Sequence, residues 1–419
     1  MRKAIISFSL GALSLCALGA GFGLYEMSAR AMMTGGNNVG KATDASAVYY
    51  NPATMGGLTG TWVTVGTTFL RPPLDTRVNG VGAHKMDPGW FVDPHAFITH
   101  QLPCDFTAGL GFYADFGLGS HYDNSWPLAF DSVESTVEGF TLSPTLSYKV
   151  TDKWSVGGGV RLTRLNFEQR RIYRFDDMVY RRFGMVGVPG APSGTMKLRY
   201  DAHNDVDVGY LVGTTYDLTE DFTIGAVWRS RIRARMEGKC HASGDNAYSM
   251  ATARLYGGSL EEKIDLPMSA NVGFNWNRAF WLEHLRMGGT ATWTEWSTID
   301  EICLGAASMN LGWHNAYRTG FGFEYDLTDW WTPGIGYCYD WDPTKEKRPT
   351  TMLPAGDRHN IYFGSTFHIT ENWDFTISGG MVLMESKTAH YNDPVGNLYK
   401  FQTRNSHTYL ASATITYHF

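Results

Sequence analysis

Apolar and polar residues alternate with period two along most of this chain. Across 266–276 one face carries Leu266, Met268, Ala270, Val272, Phe274 and Trp276, and the other Pro267, Ser269, Asn271, Gly273 and Asn275. The C-terminus repeats the pattern: Tyr409, Ala411, Ala413, Ile415, Tyr417 and Phe419 alternate with Leu410, Ser412, Thr414, Thr416 and His418. Such alternation predicts strands with two unlike faces. Soluble β-sandwiches alternate too, but over shorter runs. Here runs of roughly ten residues recur with aromatics at their borders, as expected of strands crossing a bilayer at a tilt between two aromatic girdles.

Fourteen such stretches are readable, at 61–71, 94–102, 105–118, 135–150, 153–175, 197–217, 221–236, 264–277, 284–299, 313–327, 330–342, 357–370, 373–389 and 404–419. Four joints share one design: Val150-Thr151-Asp152-Lys153-Trp154, Leu218-Thr219-Glu220-Asp221-Phe222, Leu327-Thr328-Asp329-Trp330-Trp331 and Ile369-Thr370-Glu371-Asn372-Trp373. Each reads as a tight turn whose aromatic marks the membrane interface. The joints at 72–93, 119–134, 176–196, 237–263, 300–312, 343–356 and 390–403 are long. Short turns at one end and long loops at the other predict periplasmic and extracellular sides. The expectation is an all-β fold, a 14-stranded antiparallel transmembrane β-barrel over 61–419. Closing the sheet meets every edge hydrogen bond that lipid would leave unmet.

The first sixty residues break the pattern. Arg2 and Lys3 precede an apolar stretch at 4–18 that ends in Gly19-Ala20, so 1–20 reads as a secretory signal. The run is short for a membrane span. Residues 21–60 do not alternate and are rich in small and apolar residues. A folded hatch inside the lumen fits that composition, and so does a periplasmic linker. Pro52 restricts Asn51 to extended geometry, and the Asn51 side chain can close a turn on nearby backbone.

Composition removes other classes. The chain is 14% aromatic with 47 glycines, unlike a disordered polymer. It carries 35 basic and 41 acidic residues, a formal charge of −6, which argues against nucleic-acid binding. Mean hydropathy is −0.24, and no apolar run of about 20 residues follows the N-terminus, so a helical membrane protein is excluded. There is no G-x-S-x-G, no H-E-x-x-H and no Cys/His spacing of a zinc site, so no catalytic residue, metal or cofactor is expected.

The stretch 21–60 contains Ser28-Ala29-Arg30-Ala31-Met32, Gly35-Gly36, Asp44-Ala45-Ser46-Ala47 and Asn51-Pro52-Ala53. It resembles the N-terminal hatch of the FadL/TodX family of outer-membrane transporters. Trp293-Thr294-Glu295-Trp296-Ser297, the run from Leu353 to His359, and Asp115-Phe116-Gly117-Leu118 extend the resemblance over nearly the whole mature chain. Asn37-Asn38 and Asp115 depart from the family pattern.

The resemblance implies a monomeric barrel in the outer membrane of a Gram-negative cell, plugged by a hatch. It implies passive uptake of long-chain fatty acids or similar hydrophobic molecules, with sideways release into the membrane. An aromatic-hydrocarbon channel of the same family and a general diffusion porin are the alternatives. The ligand path would touch Gly21, Phe22, Asn51, Pro52 and Ala53 of the hatch. The lateral opening would lie at a strand-three kink around Asp115, Phe116 and Gly117. The terminal Phe419 resembles the recognition signal read by barrel-assembly machinery.

Basic residues supply candidate ligands for a carboxylate. Arg229, Arg231, Arg233 and Arg235 alternate opposite Phe222, Ile224, Ala226 and Trp228. Arginine holds carboxylates through paired hydrogen bonds. Solvated charge, or contact with lipopolysaccharide phosphates, would explain the same ladder. From these, Arg229 and Arg231, together with Arg318 and Arg358, are the candidates. Cys240 and Cys303 fall in neighbouring extracellular loops, where a disulfide or two free thiols would both fit.

Overall fold

The computed structural model describes residues 21–79, 82–86, 89–185, 187–304, 307–344, 350–353, 356–404 and 406–419. The expected signal at 1–20 lies outside the described residues. One closed antiparallel sheet of fourteen strands dominates the molecule. In chain order these are β1 Thr61–Arg71, β2 Phe91–Gln101, β3 Phe106–His121, β4 Glu134–Thr151 and β5 Trp154–Arg174. Next come β6, in two segments Thr195–His203 and Asp207–Asp217, β7, Phe222–Arg229 and Ile232–Gly244, and β8, Gly258–Leu266 and Ser269–Trp276. The last six are β9 Leu285–Thr294, β10 Ala316–Tyr325, β11 Trp331–Asp340, β12 Arg358–His368, β13 Trp373–Met384 and β14 Ser406–His418. Closure comes from β1, which pairs with β14 from Trp62↔His418 to Arg71↔Tyr409 and with β2 from Thr61↔His100 to Leu70↔Phe91.

The period-two pattern sorts side chains as expected of a barrel. Val208, Val212, Val272, Ile335, Phe363, Ile377 and Ile415 lie exposed on the outer wall, while Thr64, Thr68, Thr332, Thr366 and Ser412 are buried inside. The repeated turn threonine has a specific task. In the turns after β4, β6 and β12, the hydroxyls of Thr151, Thr219 and Thr370 each accept two amide hydrogens. Trp154, Phe222 and Trp373 donate from 3.0–3.1 Å, and Lys153, Asp221 and Asn372 from 3.2–3.3 Å. Threonine recurs there because its hydroxyl substitutes for the missing ladder acceptor.

Three neighbouring strands break together, which simple alternation does not predict. β6 is interrupted at 204–206, β7 at 230–231 and β8 at 267–268. The pairing of β6 with β7 keeps its register across the gap, from Arg229↔Leu211 to Glu237↔His203. Side-chain parity, however, inverts. Below the break Leu211, Arg229 and Asn271 are buried. Above it Leu198 and Tyr200, Ile232, Ala234 and Met236, and Ile264 and Leu266 are buried. Local chemistry explains the break: Pro267 has no amide hydrogen to give a ladder. The Ser230 hydroxyl accepts the Tyr210 amide at 2.8 Å in place of a backbone carbonyl. Asn204, itself fully buried, accepts the Leu165 amide at 2.6 Å and donates to Thr163 O at 3.1 Å.

Above the membrane the loops fold rather than trail. Leu74–Val78, Gly82–Met86, Thr388–Asn392 and Leu398–Arg404 form a separate four-stranded sheet that joins the loop after β1 to the loop after β13. Tyr122 stacks on Trp126 at 4.5 Å beneath it. Two loop helices, Phe175–Phe183 and Ala247–Tyr256, pack on the extended rim, the second closed by a capping box between Asn246 and Ser249.

Candidate functional site

The N-terminal segment lies inside the barrel. It contains α1 (Ala29–Met33), α2 (Ala47–Tyr50) and a 3₁₀ turn, Pro52–Gly57. α1 starts at Ser28, whose hydroxyl also donates to Asp44 at 2.6 Å, while Asp44 accepts the Ser46 amide at 2.8 Å. One carboxylate therefore ties the starts of both short helices together. The lumenal wall supplies further hydrogen bonds. Ala29 N donates to Thr414 Oγ1 at 2.9 Å and Ala45 N to Thr64 Oγ1 at 3.1 Å. The Ser147 hydroxyl donates to Ala53 O at 3.2 Å.

Asn51 is the centre of this packing and is fully buried. Its amide nitrogen donates to Val39 O at 2.8 Å and Thr214 O at 3.2 Å, and its oxygen accepts the Ala53 amide at 3.1 Å. A Cβ on Gly213 would sit 2.0 Å from that oxygen, so only glycine leaves room. Pro52 and Ala53 press on Gly157 in the same way.

The beginning of the segment meets an irregular strand. β3 carries a bulge: Ala114 pairs with Phe140 and Phe116 with Gly139, leaving Asp115 as the extra residue. Beyond the bulge β3 stays paired with β4 up to His121↔Glu134, yet its ladder with β2 stops at Ala96↔Phe112. β2 continues beside β1 to Phe91. The upper halves of β2 and β3 thus face each other without a ladder. The free edge of β3 is taken by the N-terminal segment: Leu24 N donates to Asp115 O at 3.0 Å and Gly117 N to Phe22 O at 2.8 Å. Phe91, Asp93 and His95 line the β2 side of the gap and are buried, with Asp93 Oδ1 and His95 Nδ1 lacking hydrogen-bond partners among the described residues.

An apolar cluster closes around the same end. The Phe22 ring lies 5.9 Å from Phe116, 4.9 Å from Trp296 and 6.0 Å from Trp313, and the two tryptophans are 5.5 Å apart. Gly21 has φ +66, and a Cβ there would overlap the Trp296 indole.

The four candidate arginines do not form one site. Arg229 is buried against α2, donating to Tyr50 O at 3.3 Å and to Tyr49 O, with its guanidinium 4.8 Å from the Tyr49 ring. Arg231 sits at the β7 break and pairs with Glu295 at 2.8 Å and Asp265 at 3.3 Å. The expected ladder ends there, because the parity inversion turns Arg233 and Arg235 outward into solvent. Arg318 and Arg358 belong to a second, buried group on β10–β12. Arg318 Nε is 3.7 Å from Asp340 Oδ1 and its guanidinium lies 4.4 Å over Tyr25. Arg358 pairs in register with Asp340. Glu26, Tyr362 and Arg161 are polar members of the interior that the arginine pattern did not identify. Glu26 and Asp44 are the two acids of residues 21–60, and that scarcity is the one sequence signal for Glu26. Cys240 is a free, buried thiol, and the side chain of Cys303 lies outside the described residues.

Comparison with known proteins agrees with this architecture. A family model for outer membrane protein transport proteins (OMPP1/FadL/TodX) matches residues 10–419. A long-chain fatty acid transport protein of Salmonella typhi is 22% identical, over 93% of this chain and 93% of its own. The crystal structure of a Pseudomonas aeruginosa FadL homologue superposes with a TM-score of 0.85 at 20% identity, covering 96% of this chain and 100% of that one. The P. putida toluene transporter TodX gives 0.71 at 17% identity, covering 97% and 99%. With a family match across nearly its full length on a closed fourteen-stranded barrel, this chain belongs to the OMPP1/FadL/TodX family of outer membrane transport proteins.

Proposed function

We propose that this chain takes up long-chain fatty acids or similar hydrophobic molecules passively across the outer membrane and releases them sideways between β2 and β3. One observation carries the reading. The β2–β3 ladder ends at Ala96↔Phe112, and the N-terminal segment, acting as a hatch, occupies the edge of β3 that β2 leaves free. A hatch that moves away from Asp115–Gly117 would open an apolar window in the wall. A hydrophobe leaving by that route stays out of water, which would otherwise cost about 25 cal/mol per Å² of apolar surface. Nothing in this path needs an energy source, so net movement follows the gradient.

The hatch covers 21–60, with Gly21 and Phe22 at the ligand and Asn51, Pro52 and Ala53 as its anchor. A filled lumen speaks against a general diffusion porin. The carboxylate would be received at the buried Arg318 and Arg358, which stand beside Asp340, while Arg229 holds α2 and Arg231 bridges Glu295 and Asp265. In this reading the protein works as a monomer, meets lipopolysaccharide at its outer rim, and is inserted by barrel-assembly machinery that reads Phe419.

The test is binding of a labelled long-chain fatty acid to detergent-purified mature protein, with an alkylbenzene as competitor. Saturable binding displaced by unlabelled fatty acid alone is the expected result. Displacement by the alkylbenzene would make the chain a hydrocarbon channel, and absence of saturable binding would overturn the proposal.

A further inference from the structure

We infer that Glu26 is a built-in stand-in for the ligand's carboxylate, so that the substrate class is carboxylate-headed hydrophobes and binding is an exchange that releases the hatch. The inference rests on the transport reading above and adds the ligand's head group and the trigger to it.

Glu26 is 3% exposed and belongs to the hatch, two residues beyond the Leu24 amide that is bonded to the β3 bulge. Its Oε1 accepts the Tyr362 hydroxyl at 2.8 Å and lies 4.0 Å from Arg318 Nη2. The hatch thus delivers an acid to a basic, hydrogen-bonding site on the barrel wall. Arg318 and Arg358 stand here among the buried acids Glu26 and Asp340, with Asp93 also within electrostatic reach of Glu26, so the described residues leave no cationic excess. Adding a second carboxylate would leave a buried negative charge without a counter-ion, which is strongly unfavourable. An incoming carboxylate must therefore replace Glu26.

The site is also incompletely used by its occupant. Among the described residues Arg318 Nη1 has no hydrogen-bond partner, and Nη2 stands 4.0 Å away where a close charge-assisted bond spans roughly 2.7–2.9 Å. A free carboxylate, not constrained by a chain, can engage both nitrogens. The apolar cluster of Phe22, Phe116, Trp296 and Trp313 borders the same region, since Ala316 and Arg318 are consecutive inward residues of β10 just after Trp313. Tail and head group therefore have adjoining places. Displaced Glu26 would draw Phe22–Leu24 from the β3 edge and uncover the window, so only a ligand with a head group would open its own exit. A hydrocarbon lacks that trigger.

The experiment compares oleic acid with methyl oleate on purified wild type and three variants, Glu26→Gln, Arg318→Gln and their double substitution. Glutamine keeps the size of Glu26 and can still accept from Tyr362. Heat-shifted gel mobility verifies that each barrel is folded. With the stand-in charge removed, oleic acid should bind about tenfold more tightly, because the competent state is no longer masked. Methyl oleate should change by no more than about twofold on the same account, and Arg318→Gln should abolish the gain. Equal gains for acid and ester, or no gain for the acid, would overturn the stand-in role while leaving transport intact. Failure of either ligand to bind wild type or any variant saturably would overturn the transport reading and this inference together.

Discussion

Asp115 and Arg161 form a buried ion pair across the barrel wall, with their side chains 5% and 2% exposed. Asp115 is the bulged residue of β3, and it also accepts the Thr141 hydroxyl at 2.9 Å. Arg161, on β5, reaches on to Ser230 O at 3.5 Å, at the point where β7 breaks. One arginine thus joins the two irregular regions of an otherwise regular barrel. Removing one partner of a buried pair strands the other charge and costs about 3–5 kcal/mol. Asp115→Ala should lower unfolding stability in detergent by that amount. Asp115→Ala with Arg161→Met should recover much of it, since a neutral pair leaves no buried charge. Equal losses in the single and double variants would mean that the pair contributes through shape rather than charge.

The hatch anchor is open to a similar test. Asn51→Ala deletes two donors and one acceptor, leaving Val39 O, Thr214 O and Ala53 N without their partner. Each hydrogen bond lost from a buried place is worth about 1 kcal/mol, with more where the partner stays dry. Gly213→Ala should act alike, by pushing Asn51 out of its seat. Both variants should add brief conductance steps in a planar bilayer where the wild type stays closed. A closed trace in both would show that Asn51 does not hold the hatch.

Much of the fold could be read from the chain because bilayer-spanning strands must present apolar side chains on alternate positions. The expected stretches 197–217, 221–236 and 264–277 correspond to β6, β7 and β8, whose pairings with one another hold register across the breaks while β6 shifts by one residue against β5. What alternation could not reveal is where parity inverts. Arg229 and Arg235 share a phase in the sequence, yet the Ser230–Arg231 break sends one into the lumen and the other outward. That break depends on Ser230, Pro267 and Asn204 acting across three strands, a relation between segments far apart in sequence. Alternation is equally silent on the β2–β3 gap, where the expectation of an opening at Asp115–Gly117 comes from the family resemblance alone. A bulge at Asp115 is compatible with the local glycines, but the missing ladder is a property of two strands. Glu26 is not legible in the same way, because an isolated acid, like Asp44 in the same small-residue segment, carries no period.

Phe22 gives a local prediction. Its ring fills space between Phe116, Trp296 and Trp313, and large-to-small changes at buried aromatics cost about 3–5 kcal/mol. The barrel should absorb little of this, because residues 21–24 meet β3 through two backbone hydrogen bonds and the Phe22–Phe116 contact. Phe22→Ala should therefore speed hydrogen exchange at the Leu24 and Gly117 amides and leave the β13–β14 ladder unchanged. Uniform acceleration across both regions would place Phe22 in the global core instead.

The sideways exit stands or falls with the bulge. Below it, β3 and β4 pair as Ala114↔Phe140, and above it as Phe116↔Gly139, so the ladders differ by one residue. Deleting Asp115 removes that offset and keeps Phe116 and Ser120 facing inward, because their partners Gly139 and Ser135 are unchanged. Arg161→Met must accompany the deletion so that no charge is stranded. A straightened β3 can extend its ladder with β2 beyond Ala96↔Phe112, except at Pro94, which has no hydrogen to donate. The window then closes while the lumenal binding site is untouched. Uptake of labelled fatty acid by cells should fall by more than about tenfold, equivalent to about 1.4 kcal/mol or more, and binding to the purified variant should persist. Unimpaired uptake by a folded variant would mean that the ligand leaves through the bottom of the barrel, and the hatch would then have to move out of the lumen altogether.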